Sequence, residues 1–125
     1  ITNKSIIEKA LKLQGGFNGY KVPPALFLIT ADNEAFLSIS EHNEGFVDGG
    51  LFSMALLMAM EANKIAACPL NTMFSKQIDQ QTRNIIGVPE NEFLIMYIAA
   101  GHFPDETHTC ISKRYPVQDI LTIVK

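Results

Sequence analysis

Residues Asp48–Asn71 read DGGLFSMALLMAMEANKIAACPLN, and this stretch decides how the rest of the chain can be organised. An acid followed by two glycines is a good helix start, because a carboxylate can accept the orphan backbone N–H groups of a first turn. From Leu51 to Met60 every residue is apolar except the small Ser53. A helix with no polar stripe must be covered on nearly all sides. The apolar run is too short to cross a bilayer, which takes about 20 such residues. Full cover is hard to supply from so small a domain, and a second subunit is the simplest source of it. After the helix the chain is expected to turn through Glu61–Lys64, run extended through Ile65–Cys68 and break at Pro69.

Working outward, 125 residues allow one domain with a real core but not two. The formal charge is −3, with 47% apolar and 18% charged residues, a composition that folds. Residues 1–62 carry four Lys against seven acids, and residues 63–125 carry six Lys or Arg against six acids. No basic patch interleaved with aromatics is present, which argues against a nucleic-acid partner. Two cysteines, Cys68 and Cys110, are too few for a disulfide scaffold, and no secretory apolar segment leads the chain. A reducing, cytoplasmic setting without a membrane partner is the expectation. The first residue is Ile1 rather than Met, so the expectation is that something was removed or that the chain is part of a longer product.

Upstream, Ser5 and Glu8 have capping-box spacing. Ile6, Ile7, Ala10 and Leu11 then share a helical face that Gly15 and Gly16 close. Residues 15–24 read as a loop, and Ala25–Thr30 (ALFLIT) as a buried strand. The acidic stretch 31–45 reads as a surface loop with some helix, anchored by Phe36, Leu37 and Ile39. Downstream, Ser75–Ile86 is the clearest amphipathic helix, stopped by Gly87 and Pro89. Phe93–Ala100 (FLIMYIAA) is a second buried strand, and a last turn is expected within Pro116–Val124. Helix and strand alternate three times before an extended tail, which predicts a sheet with helices against it.

Several places could carry chemistry. In Pro69–Thr72, Leu70, Asn71 and Thr72 each have an N–H, and a strand that ends in a turn leaves such donors for a flat heteroaromatic ligand. The plainer reading is a β-to-helix connection with Thr72 or Ser75 capping the next helix, and on the residues alone it takes precedence. Lys113 and Arg114 could clamp a phosphate, Arg by its planar fork and Lys as a point charge; alone, they read more simply as a solvated basic pair. His102, Asp105, Glu106, His108 and Cys110 fit no zinc spacing, so no metal is expected. Cys68 has no base nearby in sequence to make it a nucleophile. Met54, Met58 and Met60 read as core filler.

Taken together, the chain resembles the C-terminal part of the nitroreductase family of FMN-dependent oxidoreductases. Four stretches carry the resemblance: PPALFLI at Pro23–Ile29, the Asp48–Met60 helix running into IAACPLN, the pair IGVP at Ile86–Pro89 and AAG at Ala99–Gly101, and KRYP at Lys113–Pro116 followed by DIL from Asp119. It implies an α+β fold with a mostly antiparallel central sheet and helices packed on it, a single domain over 1–125. It implies a homodimer built on the long apolar helices. Pro69, Leu70, Asn71 and Thr72 then present backbone amides to the flavin ring, and Arg114, with Lys113 beside it, binds the FMN phosphate. The implied reaction takes hydride from NAD(P)H through the flavin to a small electron-poor acceptor, with no protein nucleophile.

Two features of this chain depart from the family. Relatives place a Lys two residues before the phosphate-binding Arg, where Ser112 stands here. The family's N-terminal segment, which also grips phosphate and flavin, has no counterpart in these residues, so the chain is expected to be a fragment or a shortened relative. Loss of one or two charge-assisted contacts, each about 1.5–3 kcal/mol, predicts that this chain alone binds FMN poorly or not at all and is inactive by itself. The alternatives are a non-catalytic dimerisation or flavin-sequestering module, and a binding domain of a larger enzyme with no redox role.

Overall fold

The chain enters through helix α1 (Lys4–Gln14), whose cap is Asn3. The Asn3 side chain accepts from the Ser5 and Ile6 amides at 3.0 and 3.3 Å, which places Ser5 inside the first turn and displaces the Ser5–Glu8 box read from sequence. Gly15 ends α1 at φ +82°, its amide bonded to the Leu11 carbonyl. The computed structural model describes residues 1–36, 38–108 and 111–124. Leu37, Thr109, Cys110 and Lys125 lie outside it, as does the side chain of Ile39, so the roles expected of Leu37, Ile39 and Cys110 are not addressed by it.

Strands β1 (Ala25–Asp32), β2 (Ile65–Asn71) and β3 (Glu92–His102) form one antiparallel sheet in the order β1-β3-β2. Both neighbours align on the central strand, with Leu26 and Cys68 each opposite Ala99. Among the described residues, helices α2 (Glu44–Ala62) and α3 (Lys76–Ile86) and the short α4 (Val117–Ile120) complete the regular structure, with two 3-10 turns between β1 and α2. The α+β class and the helix–strand alternation expected from sequence are present. Alternation of side chains along the strands divides the core in two. On one face Leu26, Tyr97 and Ala99 pack with Ile7, Ala10 and Leu11 of α1, joined by Phe74 and Ile86. On the other, Ile29, Ile98 and Ala100 pack with Met60, Leu56 and Leu57 of α2.

Helix α2 departs most from expectation. It starts at Glu44, a turn before Asp48, and its cap Asn43 makes no side-chain capping bond. Asp48-Gly49-Gly50 is therefore helix interior. The face turned to the sheet is a stripe of small residues four apart, Gly45, Gly49 and Ser53, all buried. The rings of Phe93 and Phe36 occupy the space a side chain on Gly45 would need, and a Cβ on Gly49 would lie 2.7 Å from Ile95 Cγ1. Ser53 Oγ donates to the Gly49 carbonyl at 2.6 Å and so brings no unpaired hydroxyl into the contact. While Leu56, Leu57 and Met60 reach the sheet, other large apolar residues point away: Leu51 is 67% and Met58 63% exposed, and Phe46, Phe52 and Met54 are exposed as well. Of the three methionines read as core filler, only Met60 is buried. A three-stranded sheet covers one side of a helix, so the all-round cover expected for Leu51–Met60 does not arise within one chain. At 19 residues α2 is also longer than the apolar run suggested, long and apolar enough to cross a membrane by length and composition; here it lies against the sheet.

After α2, Lys64 takes a left-handed conformation at φ +58° to turn the chain into β2. The strand continues through Pro69 to Asn71 instead of breaking. An edge strand tolerates proline because the missing N–H can face outward. Helix α3 matches its sequence signals closely: Ser75 Oγ accepts from the Ile78 amide at 3.3 Å, and Gly87 closes the helix at φ +85°. Its buried Arg83 donates from Nε to Asp79 Oδ1 at 2.5 Å and from Nη1 to the Pro89 carbonyl at 2.7 Å, tying the turn into β3. Beneath α3, burial pushes the Tyr97 phenol up to about 12, partly offset by the Thr82 hydroxyl beside it. Neither buried hydroxyl makes a well-formed hydrogen bond.

The two adjacent glycines of α2 give opposite expectations. Gly49→Ala drives a methyl into Ile95 and should destabilise the fold by about 1–2 kcal/mol, overpacking outweighing the gain in helix propensity. A Cβ added to Gly50 would meet nothing within 4 Å, so Gly50→Ala should stabilise by about 0.5–1 kcal/mol. Urea unfolding of both variants checks the pair.

Candidate functional site

Which backbone donors of Pro69–Thr72 are available follows from hydrogen-bond alternation across the sheet. Leu26 exchanges both of its backbone bonds with Ile1 on the outer side of β1, at 3.0 Å and 2.8 Å. Its pair with Ala99 is therefore the non-bonded kind, and Ala99 directs its own N–H and C=O toward Cys68 on β2. Counting along β2, Cys68 and Leu70 face β3, while Pro69 and Asn71 face the open edge. This placement puts the residue without an N–H where the ladder needs none. Among the four residues expected to meet a flavin, Leu70 thus spends its N–H in the sheet, and Asn71 presents its own outward.

The surroundings of Asn71 agree with that orientation. Its carbonyl accepts from Gln14 Nε2 at 3.2 Å, across 57 residues of sequence, which requires the carbonyl to lie clear of the ladder. Its Oδ1 accepts from the Met73 amide at 3.2 Å, and the Phe74 amide bonds to the Thr72 carbonyl at 2.7 Å, so the exit from β2 is a tight, internally bonded turn. Thr72 Oγ1 donates to the Ile95 carbonyl at 2.8 Å, with the Leu94 carbonyl also within 3.2 Å. That hydroxyl locks the turn to β3 and does not cap α3; Ser75 does that. Gln14 escaped the sequence reading because a polar residue at the last turn of a helix carries no sign of its distant partner.

Lys113 and Arg114 lie in the tail that follows β3. With Tyr115 they line a cleft of about 230 Å³ whose described lining includes no residue from 69–72. Arg114 Nη1 donates to Ser112 Oγ, so Ser112 sits within the basic cluster as the guanidinium's partner. The tail's apolar residues are turned to solvent, Ile111, Tyr115, Ile120, Ile123 and Val124 among them. Cys68 is a free, exposed thiol beside a shallow slot of about 200 Å³ formed with Phe17, Pro23, Ala66, Ala99 and Gly101. A larger hollow of about 370 Å³ lies between the end of β1 and α2, lined by Phe36, Phe52, Asp32 and Asp48 among others. Among the described residues no group of three or more His, Cys, Asp or Glu gathers as a metal site.

No protein-family model matches the sequence, and a search of curated proteins also finds no match. Solved structures do match. An FMN-dependent nitroreductase from Clostridium difficile superposes with a TM-score of 0.70 at 18% identity, over 96% of this chain and 67% of that one. B. megaterium NfrA1 gives 0.80 at 16% identity, over 98% of this chain and 54% of that one. The hypothetical oxidoreductase YcnD from Bacillus subtilis gives 0.78 at 20% identity, over 96% and 53%. The chain has a nitroreductase-like fold. The likeness is architectural at this identity, and it extends over nearly all of this chain but little more than half of two of the three neighbours. In this nitroreductase-like fold the strand end at Asn71 is held by three independent bonds, from Gln14, Met73 and Thr72.

Thr72→Val keeps the shape of the side chain and removes the hydroxyl that locks the turn. It should cost about 1 kcal/mol in urea unfolding, the net worth of one part-buried hydrogen bond.

Proposed function

We propose that the chain is the flavin-handling part of an FMN-dependent oxidoreductase of the nitroreductase type, which uses NAD(P)H to reduce a small electron-poor acceptor. The observation that carries the reading is the outward Asn71 N–H, fixed at the open edge of β2 within a nitroreductase-like fold. A rigid edge donor suits the polar rim of an isoalloxazine ring, and Pro69 beside it leaves flat backbone for the ring to approach. Lys113 and Arg114 supply the charge an FMN phosphate needs, Arg114 with its guanidinium oriented by Ser112. Bound FMN would supply the hydride chemistry, leaving the protein to bind, orient and exclude water. An exposed free thiol at Cys68 suits a reducing, cytoplasmic setting.

The assembly we propose is a homodimer of single-domain chains. Its support is the bare outer face of α2, with Phe46, Leu51, Phe52, Met54 and Met58 all exposed, together with an apolar tail that finds no cover on its own chain. A tail with its apolar residues exposed can dock on a second copy and bring Arg114 to that copy's Asn71 edge.

Titration of the purified chain with FMN, followed by flavin fluorescence, tests this reading. Saturable quenching with micromolar or weaker affinity is expected, and Arg114→Ala should weaken it by about ten- to a hundredfold, the effect of one charge-assisted contact. NADPH should bleach the bound flavin without air. A chain that sediments as a dimer yet shows no saturable quenching would overturn the redox reading in favour of a non-catalytic dimerisation module.

A further inference from the structure

We infer that Gln14 is a positioning residue for the cofactor edge, coupling the strand end at Asn71 to the loop that follows α1. The inference rests on the flavin reading above for its function, but its geometry stands apart from it. One amide side chain makes both links: Nε2 donates to the Asn71 carbonyl at 3.2 Å, and Oε1 accepts from the Gly16 amide at 2.7 Å. In a strand one residue's N–H and C=O face the same side, so the bond to the Asn71 carbonyl holds the residue whose N–H is presented at the open edge. The bond at Gly16 fixes the start of the 15–24 loop, which carries the paired rings of Phe17 and Tyr20, 5.3 Å between centroids.

The two glycines after α1 differ in setting. Gly15 is required by its left-handed backbone. Gly16 lies against the Gln14 amide: a Cβ there would come within 3.0 Å of Oε1 and 3.3 Å of Nε2, so the end of the Gln14 side chain would have to shift. Because one planar group serves both partners, movement of the loop turns the amide and is felt at Asn71. Phe17 and Tyr20, the loop's aromatic pair, thereby gain a mechanical link to the flavin edge.

Amide hydrogen exchange measured by NMR on three variants of the chain tests the link. Gln14→Ala should speed exchange at both Gly16 and Met73, whose amide is held by the Asn71 side chain, by about three- to tenfold each. Gln14→Glu keeps an acceptor for Gly16 and loses the donor to Asn71, so Met73 should speed up while Gly16 stays protected. Gly16→Ala should displace the amide and reproduce the Met73 effect without touching Gln14. A residue that only stabilised the helix end would move both amides together in every variant, in step with global stability, and that result would overturn the proposal; so would an unchanged Met73 in Gln14→Ala. FMN titration of the same proteins keeps the two readings apart. Absence of binding by the unaltered chain strikes the flavin reading alone, whereas weaker binding in Gln14→Ala, which changes no charge, supports the positioning role.

Discussion

The close approach of α2 to the central strand is the constraint on which the other features depend. Gly45, Gly49 and Ser53 let the helix backbone settle against Phe93 and Ile95, where any larger side chain would collide. Where the helix is seated on its small residues, it turns the large ones beside them the other way. The exposed Phe46, Leu51, Phe52, Met54 and Met58 are thus the geometric counterpart of the tight inner contact, not a failure of the core. The same contact sets the height of α2 above β3 and brings its lower end, at Met60, into the cluster with Ile29, Ile98 and Ala100. The turn through Lys64 then delivers β2 to the edge of the sheet.

Much of this was legible in the residues because local signals and global needs agreed. Helix α3 shows its cap at Ser75, its stop at Gly87 and its apolar period in sequence, and all three are used. The buried strands announced themselves by short apolar runs. What could not be read was the meaning of Gly49-Gly50. Glycine marks a helix end and a close helix contact equally well, and only the position of Ile95 decides between them. Asn3 takes the cap from Ser5 because an equally good acceptor lies two residues upstream and lets the helix begin earlier. Pro69 looked like a break because a sequence does not tell an edge strand, which accepts proline, from a central one, which does not.

The candidate site was legible in part for a related reason. The stretch Pro69–Thr72 was found from its unpaired donors, but which donors stay unpaired depends on strand pairing far away in sequence, at Ile1 and Leu26. Register information of that kind is not local. The basic pair at Lys113 and Arg114 was visible as charge, yet its partner Ser112 is known only from the folded tail. Gln14 had no visible signal at all, since both of its partners are backbone atoms, and backbone atoms look alike in every sequence.

Pro69 has a consequence for the company the sheet keeps. An unpaired strand border ordinarily invites another polypeptide to zip onto it, the first step of sheet growth from molecule to molecule. Here the border lacks one amide hydrogen midway along, so an incoming chain would find a gap in its bonding pattern. A small planar molecule that needs a single donor at the Asn71 end meets no such obstacle. The imino acid thereby discourages strand-on-strand addition along this border, a protection that costs the sheet no bond of its own.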